Sequence, residues 1–212
     1  MPKTIAFVRR PGPSFNQAIS ANPKNQSINV KRACLQHEYY IAALEETGIE
    51  IVLLPAAYEY PDAPFVEDTT VVFDHVALAC PNKEKSRRGE GASIHKEIKN
   101  YRTIKTLPHH VTLDGGDVLN TGGKIFVGIS SRTNLEAVNA LAKLTKKPIV
   151  PVKVLNGLHL KTSVSYLGKN ILVLDPSSVD TTSLHEFKWI ETSKSNRCSA
   201  NCLAIGKTVL IT

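Results

Sequence analysis

The sequence predicts an α/β fold assembled from a recurring strand-strand-helix-strand module. Three observations lead there. Short apolar runs alternate with segments of helical periodicity, the order of elements returns at intervals of roughly 45–50 residues, and no linker or shift of composition divides the 212 residues. The residues themselves barely repeat, so the recurrence is structural and points to a radial or pseudo-symmetric arrangement in a single domain spanning residues 1–212.

Ile5-Ala6-Phe7-Val8 reads as the first strand. Val30 to Thr47 sets Ala33, Tyr40, Ala43 and Leu44 at helical spacing and stops at Gly48, and Ile51 to Leu54 follows as a buried strand. A second unit opens with strands at Phe65-Val66 and Thr69 to Phe73, returns through Val76 to Ala79 and continues in a helix over Gly91 to Tyr101. The third takes Val118-Leu119, a turn at Gly122-Gly123, Ile125 to Gly128, a helix over Asn134 to Leu144 and a strand over Ile149 to Val152. The fourth takes Ser163 to Tyr166, the turn Gly168-Lys169-Asn170 and Ile171 to Leu174. Thr208 to Ile211 then stands as a lone strand, and an apolar strand without its unit leads us to expect that the chain is truncated by roughly one module, 40–50 residues.

Hydrophobic residues make up 42% and charged residues 21%, which excludes a disordered, collagen-like or coiled-coil chain. The longest apolar runs, such as Ile51 to Ala57, fall far short of the roughly 18–20 residues of a membrane helix. The N-terminus lacks the apolar stretch and small-residue cleavage site of a secretory leader, so a cytoplasmic address and no membrane partner are expected. The net charge of +7 permits attraction to polyanions. Its lysines are scattered, however, and Lys83 to Arg88 carries no interleaved aromatics, so no nucleic-acid partner is expected. Cys34, Cys80, Cys198 and Cys202 read as reduced thiols, and no His and Cys spacing fits a closed zinc site, so neither metal nor cofactor is expected.

Three polar constellations call for a cause. Pro61-Asp62 leads into Phe65-Val66-Glu67-Asp68-Thr69, where side-chain alternation at a strand start turns one carboxylate inward, toward a cation. Solvated acids at a loop-to-strand junction explain the same residues. Thr112-Leu113-Asp114-Gly115-Gly116-Asp117-Val118 has paired glycines that permit close backbone approach between two acids, as would a generic turn. In Asn156-Gly157-Leu158-His159-Leu160-Lys161-Thr162, a histidine on a partly apolar wall has a tunable proton affinity, though a structural histidine fits as well. Arg87 or Arg88, and Arg132, could grip a carboxylate through a planar fork or simply form surface ion pairs.

In this order, and with Arg9, Leu54-Pro55-Ala56, Ser86-Arg87-Arg88-Gly89-Glu90 and Phe126 to Asn134 added, these segments resemble the dimethylarginine dimethylaminohydrolases. That family belongs to the guanidine-modifying, amidinotransferase-like pentein superfamily. The resemblance spans nearly the whole chain. It implies a five-fold pseudo-symmetric α/β propeller of ββαβ modules, here with the last incomplete. It also implies cysteine-based hydrolysis of methylated arginine to citrulline and an alkylamine, within arginine metabolism and nitric oxide regulation. Glu67 and Asp68 would hold the guanidinium with Asp62 and Phe65 nearby, and Arg132 with Arg87 or Arg88 would receive the ligand's carboxylate. His159 would act as acid and base with Asp114 as its orienting partner, and Glu67 is counted with them as catalytic. The family keeps its nucleophile in the fifth module, so here it is expected beyond Thr212, leaving the 212-residue chain inactive alone. Cys202 is the alternative candidate inside the chain. An arginine deiminase, a non-catalytic pseudoenzyme that binds an arginine analogue, and a homodimer paired near Val209 are the other readings the sequence allows.

Overall fold

In the computed structural model, residues 4–19 and 28–211 are described. Their strands form five small sheets in chain order. Strands β1 (Ile5–Arg9) and β2 (Glu50–Leu54) pair in parallel, with helix α1 (Val30–Glu46) as the crossover. Strand β3 (Thr70–Val72) turns back on β4 (Val76–Ala79), and helix α3 (Ala92–Ile98) returns the chain to β5 (Thr103–Lys105) in parallel. The third sheet repeats this with β6 (Val118–Asn120), β7 (Ile125–Ile129), helix α4 (Glu136–Thr145) and β8 (Ile149–Lys153). The fourth joins β9 (Val164–Gly168), β10 (Ile171–Leu174) and β11 (Lys188–Glu191). The helix that the module pattern puts between the last two is only a 3-10 turn, Thr182–Leu184.

Three expectations are corrected. Thr208 to Ile211, strand β13, is not alone: it closes an antiparallel hairpin with β12 (Cys202–Ile205). Cys202 to Ile205 is too short and mixed a run to declare itself beside the thiol spacing. Phe65-Val66 is not a strand either. Val66–Thr69 forms a single helical turn, α2, closed by Asp68 N–H on the Phe65 carbonyl (3.1 Å) and by Thr69 Oγ1 on the Val66 carbonyl (2.9 Å). Consecutive residues on such a turn still diverge, so one of the two carboxylates points inward, for a different reason than strand alternation. The predicted apolar stripe of α1 is also thinner than expected, since Leu44 is its buried member and Tyr40 is exposed.

Period-two alternation does most of the packing. In β7, Ile125 and Val127 face one core with Leu78, Leu113 and Leu141, while Phe126 faces another with Leu160, Val164 and Leu172. A third cluster joins Leu54 of β2 to Ala77 of β4 and to Ile94 and Ile98 of α3. The first four sheets are thereby tied each to the next, and chain segments that enter or leave them gather around one cleft. Residues 10 to 30, with Pro11, Gly12, Pro13 and several Asn, have the composition of a flexible loop that could cover the cleft. Of these, residues 20–27 lie outside the described residues. Pro13–Gln17 forms a 3-10 turn, and the N–H of Ile19 donates to Asp62 Oδ1 at 3.0 Å.

Candidate active site

Four short segments build the site. The α2 turn directs Asp68 inward and leaves the Glu67 side chain 65% exposed. A 3-10 turn at Lys85–Arg87 aims Arg87 into the protein, where it is 3% exposed, while Arg88 continues in extended conformation and is exposed. A second 3-10 turn, Gly115–Asp117, lies against α2 so closely that a methyl on Gly115 would overlap the Glu67 carbonyl oxygen. A third, Leu160–Thr162, follows directly on His159.

Together they enclose a cleft of about 320 Å³ whose walls include Asp62, Phe65, Glu67, Asp68, Arg132 and His159, with Arg87 beside them. Asp114 stands behind His159, fully buried. The sequence-predicted residues are thus brought together, apart from Arg88 and Cys202. Arg88 sits outside the cleft because the turn that buries Arg87 ends there. Cys202 opens instead onto a neighbouring cavity of about 710 Å³. The two cavities share Glu67, Lys161 and Tyr40, but the charged groups converge in the smaller one.

His159 Nε2 lies 3.1 Å from Asp114 Oδ2. The same oxygen accepts from Arg132 Nη1 at 3.3 Å, while Asn82 Nδ2 donates to Asp114 Oδ1 at 2.8 Å. Burial alone would push the Asp114 carboxyl up, but the bonds from His159 and Asn82 hold it below the usual carboxylate range. Burial likewise disfavours imidazolium, yet the bond to Asp114 and the charges of Asp68 and Asp117 outweigh it and raise His159 above its ordinary value. In Asp62, burial prevails over the Ile19 N–H and lifts the carboxyl.

The signs set a stability window. A raised His159 contributes stability that is complete below the ordinary histidine value and lost as pH rises through its folded value. A depressed Asp114 contributes stability present above the ordinary aspartate value and lost as pH falls through its folded value. The imidazole of His159, followed by NMR, is expected to titrate above 6.5 and to shift downward in Asp114→Asn. A midpoint at or below 6.5 in the parent chain would contradict this.

Sequence reading left several supporting residues unassigned. Asp117 had appeared only as an acid beside a bend. Its buried carboxylate accepts from Ser130 Oγ (2.7 Å), Thr133 Oγ1 (2.6 Å) and the Leu160 N–H (2.8 Å), so it ties the Arg132 segment to the His159 segment. Gly128 makes room for it, since a methyl there would overlap Asp117 Oδ1. Glu90 clamps Arg87, and Lys161 pairs with Glu67 at 2.5 Å. Arg87 and Glu90 are 3 residues apart, whereas Lys161 and Glu67 are 94 apart, a separation that no local spacing announces. Donor atoms of Asp68, Asp114 and His159 lie within 4.8 Å of one another, close enough to hold a cation, but Arg87 and Arg132 already neutralise the two carboxylates.

Comparisons with known proteins identify the family and the fold. The family model "N,N dimethylarginine dimethylhydrolase, eukaryotic" matches residues 2–204. An uncharacterized protein of Aeropyrum pernix is 35% identical over 214 residues, which is 96% of this chain and 78% of the relative. The N(G),N(G)-dimethylarginine dimethylaminohydrolase of Streptomyces coelicolor is 33% identical over 189 residues, 87% of this chain and 73% of the relative. A solved structure of the Pseudomonas aeruginosa enzyme, a cysteine-to-serine variant complexed with citrulline, superposes with a TM-score of 0.91 at 26% identity, covering 98% of this chain and 83% of that one. With the family model spanning nearly all of its length and its folded segments superposing on a solved relative, this chain belongs to the dimethylarginine dimethylaminohydrolases, amidine hydrolases with a pentein-like α/β fold.

Proposed function

We propose that the cleft binds a methylated arginine and that His159, oriented by Asp114, is the acid and base of its hydrolysis to citrulline and an alkylamine. The observation that carries the reading is the convergence of Glu67, Asp68 and the His159–Asp114 pair at one cleft, with Arg132 on its wall. Carboxylates at Glu67 and Asp68 would hold the guanidinium and offset its charge, while Arg132 receives the amino acid's carboxylate. Arg87 is engaged by Asp68 and Glu90, so its part is to hold Asp68 in place. Attack by a thiolate on the guanidinium carbon forms the C–S bond. Protonated His159 then gives its proton to the departing amine as the C–N bond breaks. Neutral His159 takes a proton from water, whose oxygen attacks the same carbon and releases citrulline and the thiolate.

None of the four cysteines lines this cleft. Burial first, and the charges of Asp114 and Asp68 after it, push the Cys80 thiol up and keep it protonated, and Cys34 Sγ lies 3.6 Å from the Pro11 carbonyl. The reading therefore assigns the thiolate to a residue outside those described and the chain itself to binding and acid-base work. Residues 1–212 acting as one domain, five sheets closing around the cleft, a cytoplasmic setting, a homodimer and a bearing on nitric oxide regulation belong to the same reading. No helix of the described residues is long and apolar enough to cross a membrane.

Calorimetry is expected to show the 212-residue chain binding monomethylarginine or dimethylarginine more tightly than arginine, without turnover. Preference for arginine would favour a deiminase. Citrulline production by this chain that disappears in Cys202→Ser would place the nucleophile at Cys202 and overturn the assignment.

A further inference from the structure

The ion pairs around the cleft are not equivalent. Arg87–Asp68 is buried on both sides, with side chains 3% and 12% exposed, and Arg132–Asp114 is buried too, at 4% and 0%, though longer at 3.3 Å against 2.7 Å. Lys161–Glu67 stands at 20% and 65%. The carboxylate best placed to meet an entering cation thus already carries one, on a flexible stem and in a pair that water reaches on the Glu67 side.

The backbone beneath Lys161 is fixed. Asp117 accepts the Leu160 N–H at 2.8 Å and Thr162 Oγ1 donates to the His159 carbonyl at 2.6 Å, so the ammonium can leave Glu67 without moving His159. There is also somewhere for it to go. Lys161 lines both the 320 Å³ cleft and the adjoining 710 Å³ cavity, with Glu67 on the boundary.

We propose that Lys161 is a resident cation that the ligand's guanidinium displaces from Glu67, and that this exchange makes it a specificity-determining residue. The assignment rests on the methylarginine reading of the cleft. A planar guanidinium offers two parallel N–H donors to a carboxylate, where an ammonium offers a point charge. Exchange therefore favours a guanidinium and gives no advantage to an amine, which would only replace one ammonium by another. A neutral ureido group keeps N–H donors but lacks the charge that offsets loss of the ammonium, so product leaves as the lysine returns.

Calorimetric titration of monomethylarginine and citrulline into the parent chain, Lys161→Met and Lys161→Arg separates this from a structural role. Removing the competing charge is expected to tighten monomethylarginine by about fivefold, the scale of a partly exposed ion pair. Citrulline should stay within about twofold. Lys161→Arg, which supplies a better partner for Glu67, should weaken monomethylarginine below the parent chain. Equal shifts for both ligands, or no change in their ratio, would overturn the exchange while leaving the functional reading intact. Failure of both variants to fold by circular dichroism would make Lys161 structural and overturn it too. A parent chain that binds neither ligand would defeat the reading of the cleft, and the lysine assignment with it.

Discussion

Replacing Arg87 by methionine is expected to destabilise the protein by about 3–5 kcal/mol, the range for removing one partner of a buried ion pair. Its guanidinium is 3% exposed and spends its donors inside the protein. Nε and Nη2 reach the two Glu90 oxygens at 3.0 and 2.6 Å, and Nη1 reaches Asp68 Oδ2 at 2.7 Å. Burial opposes its charge, but Glu90 and Asp68 hold it ionised. Without it, two carboxylates remain in a site that has already lifted Glu90 by burial, and Asp68 loses the anchor that aims it at the cleft. The loss should shrink at low pH, where Glu90 can take up a proton instead of standing as an unpaired charge. Arg87→Lys should recover only part of it, because an ammonium cannot bridge Glu90 and Asp68 with a planar set of donors. Urea unfolding followed by circular dichroism gives the comparison. A loss below about 1 kcal/mol would mean that water reaches this triad and that the pair is weaker than its burial implies.

How much of this could be read from the sequence depended on the range over which the information was written. Strands such as Ile125 to Ile129 and the α1 segment declared themselves through apolar spacing, because neighbours a few residues apart decide those conformations. The single helical turn at Val66–Thr69 did not, since four residues carry no period and the turn is held by its own hydrogen bonds, such as Thr69 Oγ1 on the Val66 carbonyl. Arg87 and Arg88 were indistinguishable as letters, and the 3-10 turn that separates them into a buried and an exposed side chain is set by packing on Glu90 and Asp68. The pairing of Asp114 with His159 was suggested by the resemblance alone, and the structure places them in contact across 45 positions. Asp117 and Lys161 were visible as letters in quoted motifs, yet their partners, Ser130, Leu160 and Glu67, come together only when three modules fold against each other.

Gly115→Ala tests that convergence at its tightest point, with an expected loss of about 3 kcal/mol, at the upper end of the usual range for overpacking. Gly115 does not have a positive φ, so an alanine there meets no backbone strain and its effect is purely steric. The added methyl would overlap the Glu67 carbonyl oxygen and sit 3.0 Å from Val71 Cγ2. A carbonyl oxygen cannot rotate aside as the end of a long side chain can, so the α2 turn and the Gly115–Asp117 turn must separate. Asp68 would then retreat from the Gly116 N–H, which it accepts at 3.1 Å, and Glu67 and Asp68 would shift relative to Asp114 and His159. On the proposed reading these groups hold one planar cation, and displacement on the order of 1 Å is then enough to reduce productive binding by roughly a hundredfold. Gly123→Ala is the control: it stands in open space without a positive φ, and its stability should stay within about 0.5 kcal/mol of the parent chain. If Gly115→Ala melts with Gly123→Ala and binds monomethylarginine as the parent does, the two turns have room between them, and the close approach of α2 to the glycine pair is not what positions Glu67 and Asp68.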